Sequence, residues 1–223
     1  MLDAKTIREV ISSNSEIIKD RYDLIKAVFY DEDGSPVFSK PLQSLLQITI
    51  TINGKYYVLY HNEWVEFSDS YVKFIEEQVD NIEFSIKDSY GLGETKLIDK
   101  LVKEQGYTQL HKNNVYIGKY CIEQADLMDS DNVIMIKDQA NQSDLVYLIK
   151  QATTSLRLTE AGDLKDNVFE GRNVCLWMLV NRKTLTKLSD FKSFHLLDAI
   201  NDFKKEVTSK NLNPVVWISL KNA

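Results

Sequence analysis

Cysteine is scarce in this chain: two residues, Cys121 and Cys175, among 223. That number and spacing exclude a disulfide framework and a zinc ribbon, and point to two buried thiols in a reducing compartment. Histidine is scarcer than its uses require. His61, His111 and His195 are isolated from one another, no Ser-His-Asp order is present, and a phosphate-binding glycine loop and a dinucleotide glycine signature are also missing. No apolar run approaches the ~20 residues that span a bilayer. The opening MLDAKTIREV carries charges inside its first ten residues, unlike a secretory signal. These features predict a soluble cytoplasmic protein without membrane association. A net positive charge is also lacking. The formal charge is −6, which excludes a general nucleic-acid coat protein but not an enzyme whose carboxylates hold metal. Repeats and low-complexity tracts are absent.

What is present is an ordinary globular balance, 43% hydrophobic and 27% charged, enough to bury a core without crosslinks. Residues 3–28 have helical spacing of Ile7, Val10, Ile11, Ile17 and Ile18, as one helix or a helix running into a strand. DEDGSP, residues 31–36, is a turn cluster. Asn53-Gly54 lies between two β-rich runs and predicts a two-residue hairpin, because both positions must take positive φ. A second tight turn near His61-Asn62 extends this to a three-stranded meander over residues 45–67. A helix capped by Ser68 or Asp69 follows.

A second unit begins near residue 89. ETKLIDKLVKEQ is an amphipathic helix. NVYIGKYCIEQADLM reads as one long strand or two, with Gly118 as the break. After the turn DSDN, VIMIK is a strand, SDLVYLIKQATTSLRLTEA a helix, NVCLWMLV a buried strand, LSDFKSFHLLDAINDFKKEV a helix, and VVWISL the last strand. The expected fold is therefore α/β (α+β). Residues 1–88 form an N-terminal helix, meander and helix; residues 89–223 form an αβββαβ core with an extra αβ.

Within that core, the acid and lysine positions are the chemical signal. With the turn at Asp129–Asn132, paired residue numbers sum to about 261. Asp126 then stands across from Met135, and Lys137 is its diagonal neighbour on the same face. Glu123, at odd spacing from Asp126, points to the other face unless a bulge intervenes. The common alternatives are an aspartate that simply precedes a turn and a lysine that snorkels from a strand end. Arg182, Lys183, Lys187, Lys192, Lys204, Lys205 and Lys210 form a cationic bias, either a patch that holds phosphates or, more commonly, a solvated helix face.

The order αβββαβ resembles the core of the restriction-endonuclease-like superfamily, the PD-(D/E)xK nucleases. The resemblance implies Glu94 on the first helix, Asp126 at the end of the second strand, Lys137 on the third and Gln151 on the helix after it. Met135 departs from the pattern, standing where the acid-x-Lys element has its acid. A narrower resemblance spans nearly the whole chain. The segments YYVLYHNEWVEFSDSYVKFI, GETKLIDK and CIEQADLMDSDNVIMIKDQANQSDLVYLIKQATTS are similar to a family of uncharacterised bacterial proteins described as "sporadically distributed", found on mobile islands near defence genes. Its members are about twice as long, so the chain resembles their C-terminal half. Their pattern has His-Val-Lys where this chain has Met135-Ile136-Lys137. The usual Tyr-Asn after the helix glutamate is replaced here by Thr-Lys.

The resemblances imply a metal-dependent nuclease of a mobile-element or antiviral setting. Glu94 and Asp126 hold Mg²⁺ or Mn²⁺, with Glu123 in reserve. Lys137 places the water or phosphate, and Gln151 aligns the substrate. The competing expectation, favoured by Met135, is a catalytically inactive nuclease-fold module that binds nucleic acid or a protein partner. A third is an assembly protein that forms a homo-oligomer through an edge strand of the meander, with Tyr56, Tyr57, Tyr60 and Trp64 as its interface.

Overall fold

The computed structural model describes residues 13, 26–30, 33–41, 49–60, 63–110, 114–117, 120–138, 142–162 and 167–221. Most of the helix expected over 3–28 lies outside them. The chain divides into two units, Met1–Asp69 and Ser70–Ala223.

In the first unit, β1 (Lys26–Tyr30) and β2 (Pro36–Pro41) pair antiparallel around the predicted turn. β3 (Thr49–Ile52), β4 (Lys55–Tyr60) and β5 (Glu63–Phe67) form the expected meander. Asn53 and Gly54 take φ of 51° and 76°, the conformation that joins Ile52 directly to Lys55. Trp64 is 46% exposed, and Tyr56 and Tyr57 are half-buried. Lys55 and Tyr57 of β4 both reach Glu66 of β5, at 2.8 and 3.0 Å.

The second unit contains α1 (Asp69–Asp80, its first residue at the division), β6 (Glu83–Ile86) and α2 (Glu94–Gln105). β7 (Thr108–Gln109), β8 (Asn114–Ile117), β9 (Tyr120–Glu123), β10 (Leu127–Met128) and β11 (Asn132–Asp138) follow. The chain continues through α3 (Gln142–Glu160), β12 (Asn173–Val180), a 3-10 turn at Leu188–Phe191, α4 (Phe194–Ser209) and β13 (Pro214–Leu220). The architecture is a mixed α/β fold. Six strands form one sheet in the order β6-β13-β12-β11-β10-β7. The first four run parallel, and β10 and β7 are antiparallel additions. The strand β6 was not expected from the sequence. The long run NVYIGKYCIEQADLM resolves into a separate two-stranded hairpin, β8–β9, followed by the short β10.

Alternation along the strands makes the two layers. Ile134, Ile136, Cys175, Trp177, Leu179, Val215 and Trp217 share a face with Leu97, Ile98 and Leu101 of α2. Residues of opposite parity, Val133, Met135, Leu176, Met178, Val216 and Ile218, are also buried. They face the other way, the side taken by α3 and α4, which pack against β11, β12, β13 and each other. Strands buried on both faces explain why NVCLWMLV reads as an unbroken apolar run. Among the described residues, no helix is long and apolar enough to cross a membrane.

Candidate active site at the carboxyl end of the parallel strands

The turn before α2 sets where Glu94 stands. Tyr90 and Gly91 take φ of 55° and 68°, and Leu92 N donates to Ser89 O at 2.9 Å. A tyrosine in the left-handed region is uncommon. It is held by α2 itself: Gln105 Nε2 donates to Tyr90 Oη at 2.8 Å, and Lys100 Nζ lies 4.7 Å from the ring centroid. Gly93 then caps the helix, and Glu94 occupies its first turn. A Cβ on Gly93 would lie 3.1 Å from Asp138 Oδ2, so the glycine lets the helix start approach the end of β11.

The β10–β11 hairpin has the expected register. Leu127 pairs with Ile134 and Met128 with Val133. Asp129 caps its turn by accepting from Asp131 N and Asn132 N at 2.8 and 2.7 Å. The ladder changes at Asp126, the residue before β10 rather than the last of a strand. Asp126 N donates to Ile134 O at 3.0 Å, and Asp126 Oδ2 accepts from Ile136 N at 2.7 Å. Two residues further along the same edge, Glu94 Oε2 accepts from Asp138 N at 3.1 Å. Beyond the two residues of β10, then, two carboxylates take the place of a neighbouring strand. The amides they cap are ~7 Å apart, the length of two extended residues.

Lys137 meets this edge. Its Nζ is 3.2 and 3.3 Å from the two carboxylate oxygens of Glu94, in a pair whose side chains are 31% and 22% exposed. Asp126, by contrast, is 4% exposed. Next to the pair, Asp138 Oδ2 is bonded by Lys221 Nζ, from the residue after β13. Asp138 and Lys221 were not singled out in the sequence. The signals were there: one is an acid adjacent to Lys137, the other a lysine directly after a parallel strand.

The remaining expected site residues lie on the α3 side. Ser155 Oγ of α3 donates to Glu123 O at 3.0 Å, tying the end of β9 to that helix. Gln151, half-buried, is one turn earlier on the same stripe as Ser155. Met135 is fully buried and presents nothing at the edge. Among the described residues, no group of three or more His, Cys, Asp or Glu is placed to hold a metal ion.

Two other chemistries are excluded locally. Burial pushes the Cys175 thiol well above its ordinary range, so it is not a nucleophile. The cationic segment 182–210 is largely spent internally. Arg182 donates to Asp190 O and Phe191 O, Lys187 pairs with Asp80, Lys204 donates to Gln78 O, and Lys210 pairs with Glu160 and Glu206.

Residues 2–212 match the family of unknown function DUF6119. The chain belongs to that family. As a DUF6119 member it carries the family's pattern through both units. No curated protein and no solved structure matches it.

Proposed function

We propose that this DUF6119 protein is a cytoplasmic, metal-dependent nuclease-like protein acting on nucleic-acid phosphodiesters in a bacterial mobile-element or antiviral defence setting. One observation carries the reading. Glu94 and Lys137 are in contact at the carboxyl end of β11, and Asp126 stands two residues back along the same edge. The carboxyl ends of parallel strands are where open α/β sheets bind ligands. Each carboxylate is oriented by a strand amide, Asp126 by Ile136 N and Glu94 by Asp138 N. Mg²⁺ or Mn²⁺ is satisfied by one or two carboxylates completed by waters and substrate phosphate, and Glu94 and Asp126 would supply those carboxylates. Such an ion would supply a water of lowered pKa and a counter-charge for the phosphate. Lys137 donates to the phosphate oxygen or holds the water in line.

A second reading rests on Met135. Its full burial leaves the position of the third acid empty of any donor. In that reading the chain is an inactive nuclease-fold module that binds nucleic acid or a protein partner. The test is cleavage of plasmid, single-stranded DNA and RNA with Mg²⁺ or Mn²⁺ by the protein and by Asp126→Asn and Lys137→Ala. Metal-dependent cleavage lost in both variants is the expected result. Cleavage no greater than that of the variants would overturn the enzyme in favour of the binding module.

A further inference from the structure

Lys221 stands outside the nuclease pattern and still belongs to the same cluster. β11 and β13 are not neighbours; β12 separates them. Their strand axes are therefore ~10 Å apart, twice the interstrand spacing. Lys221 N donates to Val180 O, the last residue of β12, at 3.0 Å. From that anchor its stem crosses the end of β12, and Nζ reaches Asp138 at the end of β11. Lys221 Nζ bonds Asp138, the Asp138 amide bonds Glu94, and Glu94 bonds Lys137 Nζ. Two cations from different strands thus bracket two carboxylates at one end of the sheet. All four side chains retain between 22% and 31% exposure. Solvent reaches both lysine side chains, and the ion pairs that hold them are of the partly exposed kind.

We propose that Lys221 is a second phosphate-contacting cation of this site and that Asp138 is its resting counter-ion. The inference rests on the nucleic-acid reading above. Lys137 and Lys221 together cradle the phosphates of a bound strand. Glu94 and Asp138 occupy the two ammonium groups until the strand arrives. Removing the Asp138 charge then frees Lys221 and tightens binding, while removing Lys221 weakens it.

The experiment is fluorescence anisotropy with labelled single-stranded DNA and RNA, in EDTA so that cleavage does not intervene, over a range of salt concentrations. Lys221→Ala is expected to weaken binding about fivefold, the upper range for one partly exposed charge pair. It should also lower the slope of log K against log salt by about 0.7 to 0.9, one phosphate contact. Lys221→Arg keeps the slope, and Asp138→Asn tightens binding by about threefold. Lys221→Gln retains a donor for Asp138 and reports the same loss of slope if the alanine variant does not fold. A wild-type slope and affinity in Lys221→Ala and Lys221→Gln, with weakened binding in Lys137→Ala, would overturn the role of Lys221 and leave the nucleic-acid reading standing. Absence of binding by the wild-type protein would overturn both.

Discussion

The two ends of the parallel sheet solve one problem by different chemistry. At the amino end, Asn132 and Asn173 pair at the starts of β11 and β12, and Asn213 immediately precedes β13. Asn173 Nδ2 donates to Asn132 Oδ1 at 3.1 Å, and Asn213 Nδ2 to Asn173 Oδ1 at 3.2 Å. Asn132 Nδ2 closes the relay on Asp129. Asn132 and Asn173 each donate and accept and Asn213 donates, so the row runs through neutral amides to one charge, at its terminus. At the carboxyl end, Glu94, Lys137, Asp138 and Lys221 do the same with four formal charges. An amide ladder is indifferent to salt and has no reason to exchange partners. A cluster of partly exposed ions is weakened by salt and can be re-paired by an incoming anion. Stability alone would be served as well by amides at both ends. That contrast is what the proposed ligand site at the carboxyl end rests on.

Breaking the carboxyl end should show which of its members are structural. Asp126→Ala strands the buried Ile136 amide and should cost about 2 to 3 kcal/mol in chemical denaturation. Asp126→Asn keeps an acceptor and should recover most of that loss, which makes it the variant to use in activity assays. At the amino end, Asn173→Ala removes the middle of the ladder and should cost about 1 to 2 kcal/mol. That cost should stay the same between low and high salt, as neutral hydrogen bonds require.

A smaller effect sharpens the contrast away from both ends. Glu206 of α4 accepts from Arg157 of α3 at 2.6 and 2.9 Å and from Lys210 at 3.2 Å. The Arg157 hydrogen bond, with Lys210 behind it, holds its carboxyl below the ordinary glutamate range. A depressed folded-state pKa means stability that is present above the unfolded value of about 4.3 and lost as pH falls through the folded one. Glu206→Gln should therefore cost about 1 kcal/mol at neutral pH. Its denaturation curve should approach that of the wild type below about pH 4. A pH-independent difference would mean that the side chain acts by packing.

Much of this fold was legible in the sequence. The helix at 94–105 has the bounds its amphipathic spacing predicts, and the strand at 173–180 those of its unbroken apolar run. The Asn53-Gly54 turn and the pairing of Leu127 with Ile134 follow from local chemistry and strand alternation. β6 and β7 escaped because four and two residues carry too little pattern to stand out. In the candidate site, Glu94 and Lys137 are in contact, whereas the Asp126 carboxylate caps the Ile136 amide two residues back along β11. Asp138 and Lys221 escaped because their contact joins residues 83 positions apart. Only the parallel order of three strands brings them together, and that order is a property of the sheet.

The most direct test compares the two ends in one binding experiment: nucleic-acid affinity of Lys137→Ala and of Asn173→Ala, each measured where the protein is folded. The predicted result is that Lys137→Ala loses affinity and salt dependence while Asn173→Ala binds like the wild type despite its lower stability. Equal affinity in the two variants would contradict the assignment of the ligand site to the carboxyl end.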